Sequence, residues 1–252
     1  MYIVFGAYGY IGRALCDELE EHGIPYTTFK FEQTRVSRSL DGSLLITDSD
    51  RRLSLSANNH WKIVYLSWPP SSEHSVIHLQ HANKMFNLFN ALSVVESCVH
   101  VFIGSCAQKT PEGEYLHYAT GKNVLLDNIK EFLREKGASF GLSSSVQWLM
   151  LDHLFGGREE PPRRFYPSVV RGDLHFENLR RPDLKVSFVR LESFVKVIMS
   201  VAEFSAGNRI WEFSESAKRP LSEWFLIFKK DPMFEGRNLG DSVCRMIPLK
   251  LV

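Results

Sequence analysis

Apolar residues in this chain gather into short runs set between longer stretches of helical spacing. Runs at 2–5, 26–29, 44–46, 63–66 and 99–103, with a sixth beginning at Phe140, suit buried strands and are too short for helices. Stretches 13–21, 77–92 and 117–136 place apolar residues three and four apart, as Met85, Leu88, Phe89 and Leu92 illustrate. Strand and helix therefore alternate. The pattern predicts an α/β fold, a doubly wound, Rossmann-like parallel sheet with helices on both faces and all six runs within it. Past Gly157 the alternation loosens into a helix at 191–204, a short strand at 208–213 and a helix at 221–228. No repeat, low-complexity segment or linker interrupts the chain, so residues 1–252 read as a single domain carrying a small C-terminal α/β lobe.

The first run leads at once into Gly6, Gly9 and Gly12, with Tyr8, Tyr10 and Ile11 between them, and then into a helix. Strand, glycine turn, helix is the setting of a dinucleotide-binding loop. One glycine turns the chain out of the strand, one leaves the backbone open to a pyrophosphate, and one lets helix and strand pack closely. The helix N-terminus meets the phosphates with unpaired N–H groups. Residues 1–157 are accordingly assigned mainly to dinucleotide binding and catalysis, and 158–252 mainly to the substrate. At the end of the second strand, an acid bonds the ribose hydroxyls of NAD and a base meets the 2′-phosphate of NADP. Lys30 stands there and Arg35 follows, while Glu32 is the nearest acid. NADP(H) is preferred on this basis and NAD(H) allowed; the alternative is a loop of solvated charge.

Ser105 follows the fifth run, at the carboxyl edge of a parallel sheet, where such folds do their chemistry. Tyr118 and Lys122 are four apart and share one face of the next helix. A tyrosine with a pKa near 10 is a poor base at neutral pH, and a nearby ammonium lowers that value. Lys122 is expected to do so and also to bond the nicotinamide ribose, while Ser105 polarises the substrate oxygen. The plainer alternative is a buried tyrosine, a surface lysine and a loop serine. His74, His78 and His81 lie close together, but no carboxylate or cysteine completes a metal set. They are expected to be surface imidazoles, and no metal is assigned.

The G-x-x-G-x-x-G spacing, with Ser105 and Tyr118-x-x-x-Lys122 behind it, resembles the extended short-chain dehydrogenase/reductase family. That family includes nucleotide-sugar epimerases, dehydratases and 4-ketoreductases. Trp148 through Gly157 resembles its W-x-R-x-F-x-x-Y-G-P segment, and Arg164 to Ser168 resembles its R-L-V-P-S. The resemblance implies that Tyr8, Tyr10 and Ile11 line the cofactor loop and that Leu66, Ser67 and Trp68 pass the cofactor ribose. It implies that Asp48 contacts the adenine, with a helix N-cap as the alternative. Substrate contacts are implied for Ser105, Cys106, His153, Arg158, Arg163 and Arg164, the arginines facing a diphosphate. The chain departs from the pattern at Met150, His153 and Gly157, where the family has arginine, asparagine and proline. Gly104-Ser105-Cys106 is similar to the Gly-Ser-Ser-Cys of GDP-fucose synthases, whose cysteine epimerises together with a distant histidine. Arg163 and Arg164 stand where that histidine would be, so Cys106 is expected to be a packed residue. The function implied is an NADP(H)-dependent reductase of a nucleotide-linked 4-keto-6-deoxy sugar. The alternatives are a nucleotide-sugar epimerase or dehydratase and, from another class, a non-catalytic NADP(H)-binding sensor, which typically lacks the Tyr/Lys pair.

Composition narrows the partners. A formal net charge of +1 gives no electrostatic case for nucleic acid or an anionic membrane. Cys16, Cys98, Cys106 and Cys244 are widely spaced, suggesting neither a disulfide framework nor a zinc site. No apolar run approaches the roughly 18 residues of a membrane helix. The first strand begins at the N-terminus and leaves no room for a signal peptide. A cytoplasmic enzyme of a small nucleotide-sugar substrate is expected, and a homodimer is compatible with it.

Overall fold

In the computed structural model, the first run forms β1 (Tyr2–Phe5), buried along its whole length. The structure describes residues 1–40, 42–55, 59–70, 72–109, 115–136, 140, 144–157, 160–161, 164–203, 207–215, 217–230 and, by backbone alone, 243–248. From β1 the chain enters α1 (Tyr10–Glu21) and returns as β2 (Tyr26–Phe29), parallel to β1. Strands β3 (Arg35–Arg38), β4 (Leu44–Thr47) and β5 (Arg52–Leu55) come next, then β6 (Trp61–Tyr65), α2 (Ser75–Leu92), β7 (Cys98–Ile103) and α3 (Leu116–Lys136). Strand β8 (Ser145–Leu151) leads through β9 (His153–Phe155) to α4 (Phe165–Val170), β10 (Lys185–Val186), β11 (Phe188–Arg190) and α5 (Leu191–Val201). The chain ends in β12 (Arg209–Ser214), β13 (Arg219–Pro220), α6 (Leu221–Lys230) and β14 (Val243–Pro248).

The main sheet has the order β14-β12-β8-β7-β6-β1-β2. All of its strands run parallel except β14, which pairs antiparallel with β12. This is the expected doubly wound fold, with one correction. The run at Leu44 is not in the sheet: it forms β4, the middle of a three-stranded antiparallel sheet with β3 and β5. Short turns join β4 to β3 and to β5, and turns that short pair neighbouring strands antiparallel. Val36, Ile46 and Leu53 share its inward face and pack on the main core. The sixth parallel place is taken instead by β12, from the far end of the chain.

Helices α1 and α5 cover one face, burying Leu15, Leu19, Phe194 and Ile198, and α2 and α3 cover the other with Met85, Phe89, Leu125 and Ile129. The α2–α3 crossing is tight at Gly121, where a Cβ would lie 2.8 Å from that of His78. A third cluster of Phe155, Val186, Phe188, Trp224 and Phe228 joins the β9–β11 and β10–β13 pairs to α6. Helix α5 and β12 serve the main sheet, so part of the stretch 158–252 belongs to that layer and not to a separate lobe. Among the described residues, no helix is long and apolar enough to cross a membrane.

Candidate functional site

The three glycines divide their work. Gly6 adopts φ +88°, and a Cβ there would lie 2.5 Å from the Ser67 nitrogen, so the turn out of β1 needs it. A Cβ on Gly12 would meet the Gly6 oxygen at 2.2 Å, which makes it the residue of close helix packing. Gly9 is different. Its φ of −80° suits any residue, and a Cβ would touch only the Gly6 oxygen, at 3.4 Å. Nothing in the protein requires glycine here. The bare backbone lies exposed at the N-terminus of α1, the place a pyrophosphate would approach. Ile11 packs into the core, Tyr8 is exposed, and Arg13 Nε donates to the Tyr8 carbonyl at 3.0 Å.

Tyr10 ties this loop to the segment after β9. Its hydroxyl donates to the Gly156 carbonyl, and the Arg164 guanidinium lies 4.3 Å from its ring centre. Gly156 and Gly157 adopt φ +83° and +81°, which explains why the proline of the family pattern is absent at 157. The Gly156 N–H donates to Glu160 Oε2 at 2.6 Å, while Oε1 is buried with no hydrogen-bond partner among the described residues. Burial pushes the Glu160 carboxyl up to about 7, against the pull of the Gly156 N–H and Arg164. Arg164 thus stands against the glycine loop, with Nη1 donating to the Leu154 carbonyl at 3.2 Å. Arg158 and Arg163 lie outside the described residues.

At the other end of the loop, Lys30 follows β2. Its ammonium is 2.6 Å from Asp50 Oδ2. Asp48 does not cap a helix, since β5 follows it. Its carboxylate instead accepts the N–H groups of Lys30 (2.8 Å), Asp50 (2.9 Å) and Arg51 (2.9 Å). Arg35 opens the exposed strand β3, opposite Thr47. Leu66 N–H donates to the Phe5 carbonyl at 2.9 Å, and Ser67 and Trp68 line a cavity of about 570 Å³ together with Glu32, His81 and Lys84. The His81 ring bonds the Ser67 carbonyl at 2.9 Å. His78 and His81 are buried, which corrects their expected surface placement. The apolar face of α2 turns them inward against Trp68. Among the described residues, no group of three or more His, Cys, Asp or Glu could hold a metal ion.

The proposed catalytic residues meet at the end of β7. Lys122 is buried, and its ammonium donates to the Ile103 carbonyl, two residues before Ser105. It lies 4.6 Å from the Trp68 ring centre and 5.1 Å from that of Tyr118. Among the described residues no carboxylate pairs with it. Tyr118 packs edge to face on Trp68 and His78. Burial lowers the His78 pKa, and among the described residues neither of its ring nitrogens makes a geometrically sound hydrogen bond. Ser105 caps a 3-10 turn: its hydroxyl accepts the Ala107 N–H at 3.2 Å, and Gln108 bonds back to the Ser105 N–H at 2.9 Å. Gln108 is also clamped to Asn123 of α3 by two bonds, of 2.9 and 3.1 Å. That clamp fixes Ser105 relative to Tyr118 and Lys122. Ser-x-x-Gln, a capping box, was its signal in the sequence.

One electrostatic expectation is corrected. Burial raises the Tyr118 pKa, opposed by Arg164 and not by Lys122. Burial also drives Lys122 from 10.5 down to about 7, so near neutrality it is only partly charged. For both groups burial is the dominant influence, since desolvation disfavours the phenolate and the ammonium alike.

Residues leaving β7 and β8 stand side by side, since Ile103 is in register with Leu149. Burial opposes ionisation of Asp152, yet bonds from His153 Nδ1 (2.9 Å) and the Ser187 N–H (3.0 Å) hold its carboxyl below its ordinary value. This orients the His153 ring, as a carboxylate does for a general base. Cys106 is half-buried, and burial and Asp152 push its thiol up to about 11. Arg190 is engaged by the buried Glu215, whose Oε2 accepts its N–H at 2.7 Å.

No family model matches the sequence, and no curated protein does. Solved structures do resemble the fold. A UDP-N-acetylglucosamine 4-epimerase from Bacillus cereus aligns over 94% of this chain and 83% of its own at 14% identity, with a TM-score of 0.61. An NAD-dependent NDP-hexosamine 5,6-dehydratase of tunicamycin biosynthesis aligns over 92% and 81% at 14% identity, with a TM-score of 0.64. A GDP-L-fucose synthetase from Naegleria fowleri bound to NADP aligns over 93% and 79% at 11% identity, with a TM-score of 0.62. The chain thus has the fold of these nucleotide-sugar enzymes, at identities that establish the fold alone.

Proposed function

We propose that this chain is an NAD(P)-dependent oxidoreductase that reduces a nucleotide-linked keto sugar. The observation that carries the reading is the gathering of Ser105, Tyr118 and a buried Lys122 without a carboxylate at one sheet edge. Burying a lysine that has no carboxylate partner among the described residues is costly, and such perturbed groups cluster at functional sites. The exposed Gly9 backbone suits a pyrophosphate, and Lys30 lies where a 2′-phosphate would fall. The nicotinamide, when bound, supplies the hydride. Ser105 bonds the substrate oxygen, and Tyr118, kept protonated by burial, gives that oxygen its proton. Lys122 holds the ribose hydroxyls, and Arg164 eases the charge on Tyr118 as its proton leaves. The fold's occurrence in an epimerase, a dehydratase and a synthetase of nucleotide sugars supports the substrate class.

Tyr118→Phe keeps the ring and removes the proton donor. NADPH binding should survive, while turnover of nucleotide-linked keto sugars falls at least about 100-fold. Full turnover in the variant refutes the role of Tyr118. A wild-type chain that binds NADPH and reduces no such sugar points to a sensor. A second reading, epimerase or dehydratase, is favoured by the Asp152–His153 pair beside Cys106, a base suited to a C–H proton. Incorporation of solvent deuterium into the sugar ring, lost in His153→Gln, would select it.

A further inference from the structure

The turn between β4 and β5 is strapped across the end of β2. Asp48 accepts three main-chain N–H groups there, one of them from Lys30, and Arg51 Nη1 donates to the Thr28 hydroxyl of β2 at 2.6 Å. The strap delivers Asp50 to the Lys30 ammonium at 2.6 Å, and the Ser49 hydroxyl donates to the other oxygen of Asp50 at 2.7 Å. Both side chains stay open to ligand, with relative exposures of 41% and 54%. Tyr8 of the glycine loop is close enough to act on the Lys30 charge. The antiparallel sheet that replaces a third parallel strand therefore places an acid on the residue that meets the adenosine 2′ position. We propose that Asp50 is a specificity-determining residue, holding Lys30 neutralised so that a 2′-hydroxyl is accepted with the pair intact while a 2′-phosphate must displace the carboxylate.

This rests on the dinucleotide reading above. A 2′-phosphate brings about two negative charges toward a site whose own pair sums to zero, and it is repelled by Asp50 as strongly as it is drawn to Lys30. Asp50→Asn leaves the turn's main-chain bonds in place and frees Lys30. The test is titration of NADPH and NADH by fluorescence at fixed ionic strength, on the wild type, Asp50→Asn, Lys30→Ala and the double variant. Asp50→Asn should raise the ratio of NADPH to NADH affinity about tenfold, and less at high salt. In the Lys30→Ala background the same change should be close to neutral. A ratio unmoved by Asp50→Asn in a variant that melts like the wild type overturns the proposal. So does a rise that persists without Lys30. A wild-type chain that binds neither dinucleotide would overturn the dinucleotide reading and this proposal together, a result distinct from binding with an unchanged ratio.

Discussion

Lys122→Met replaces a buried ammonium by an apolar chain of similar length, and its effect should depend on pH. Burial lowers the Lys122 pKa from 10.5 to about 7. At about 1.36 kcal/mol per pH unit, that gap costs the fold roughly 5 kcal/mol wherever the lysine is charged. Below pH 7 both folded and unfolded chains hold the proton, and the cost is complete. Between 7 and 10.5 the unfolded chain keeps a proton that the folded chain has released, so wild-type stability rises with pH. The variant loses the bond to the Ile103 carbonyl, worth about 1 kcal/mol, at every pH. It should therefore be more stable than the wild type at pH 6, with an advantage shrinking by roughly 3 kcal/mol by pH 9. Urea unfolding of both proteins across that range, with equal slopes, measures the difference. A pH-independent difference would show that the ammonium is not desolvated and would remove the main physical argument for a functional lysine.

Gly9→Ala should fold with stability unchanged or raised by about 0.5 kcal/mol, because its backbone suits alanine, yet lose at least tenfold in dinucleotide affinity. Gly12→Ala should cost roughly 1–3 kcal/mol from the clash with the Gly6 oxygen. Thermal midpoints and fluorescence titrations separate the two, and normal binding by Gly9→Ala would sink the pyrophosphate assignment. The raised Glu160 carboxyl favours the protonated folded state, so stability is lost as pH climbs from 4.5 to about 7. Glu160→Gln should then gain about 1 kcal/mol above pH 7, allowing for partial exposure, and nothing below pH 4.5. Melting curves at pH 4 and 8 check this.

Five of the parallel strands, β1, β2, β6, β7 and β8, were legible as short local runs, and the glycine turn because its spacing is local too, whereas the place of β12 in the sheet depends on pairing across the chain. The small antiparallel sheet was not. Arg35 to Arg38 alternates too weakly to announce a strand, and only its pairing with β4 makes it one. Helix α2 was legible, but the burial of His78 was not, since periodicity cannot tell a polar residue drawn inside by aromatic neighbours from one on the rim. Ser105, Tyr118 and Lys122 could be named from spacing. Their electrostatics could not, because desolvation depends on Trp68 and on the absence of a carboxylate, and neither is a property of the helix that carries them. Asp50 and Asp152 escaped notice for a similar reason. Each acquires its partner through a turn or a strand end that sequence order does not reveal.

The cover over α1 has a consequence for how the protein is made. Leu15 and Leu19 leave the ribosome well before Phe194, Val195 and Ile198, which share their apolar cluster. Throughout that interval α1 packs on the sheet through Tyr2, Val4 and Val64 but lacks its α5 neighbours, leaving an apolar surface that attracts chaperones or other nascent chains. The glycine loop sits at the head of that helix, so this part of the candidate site is completed only once α5 has been made.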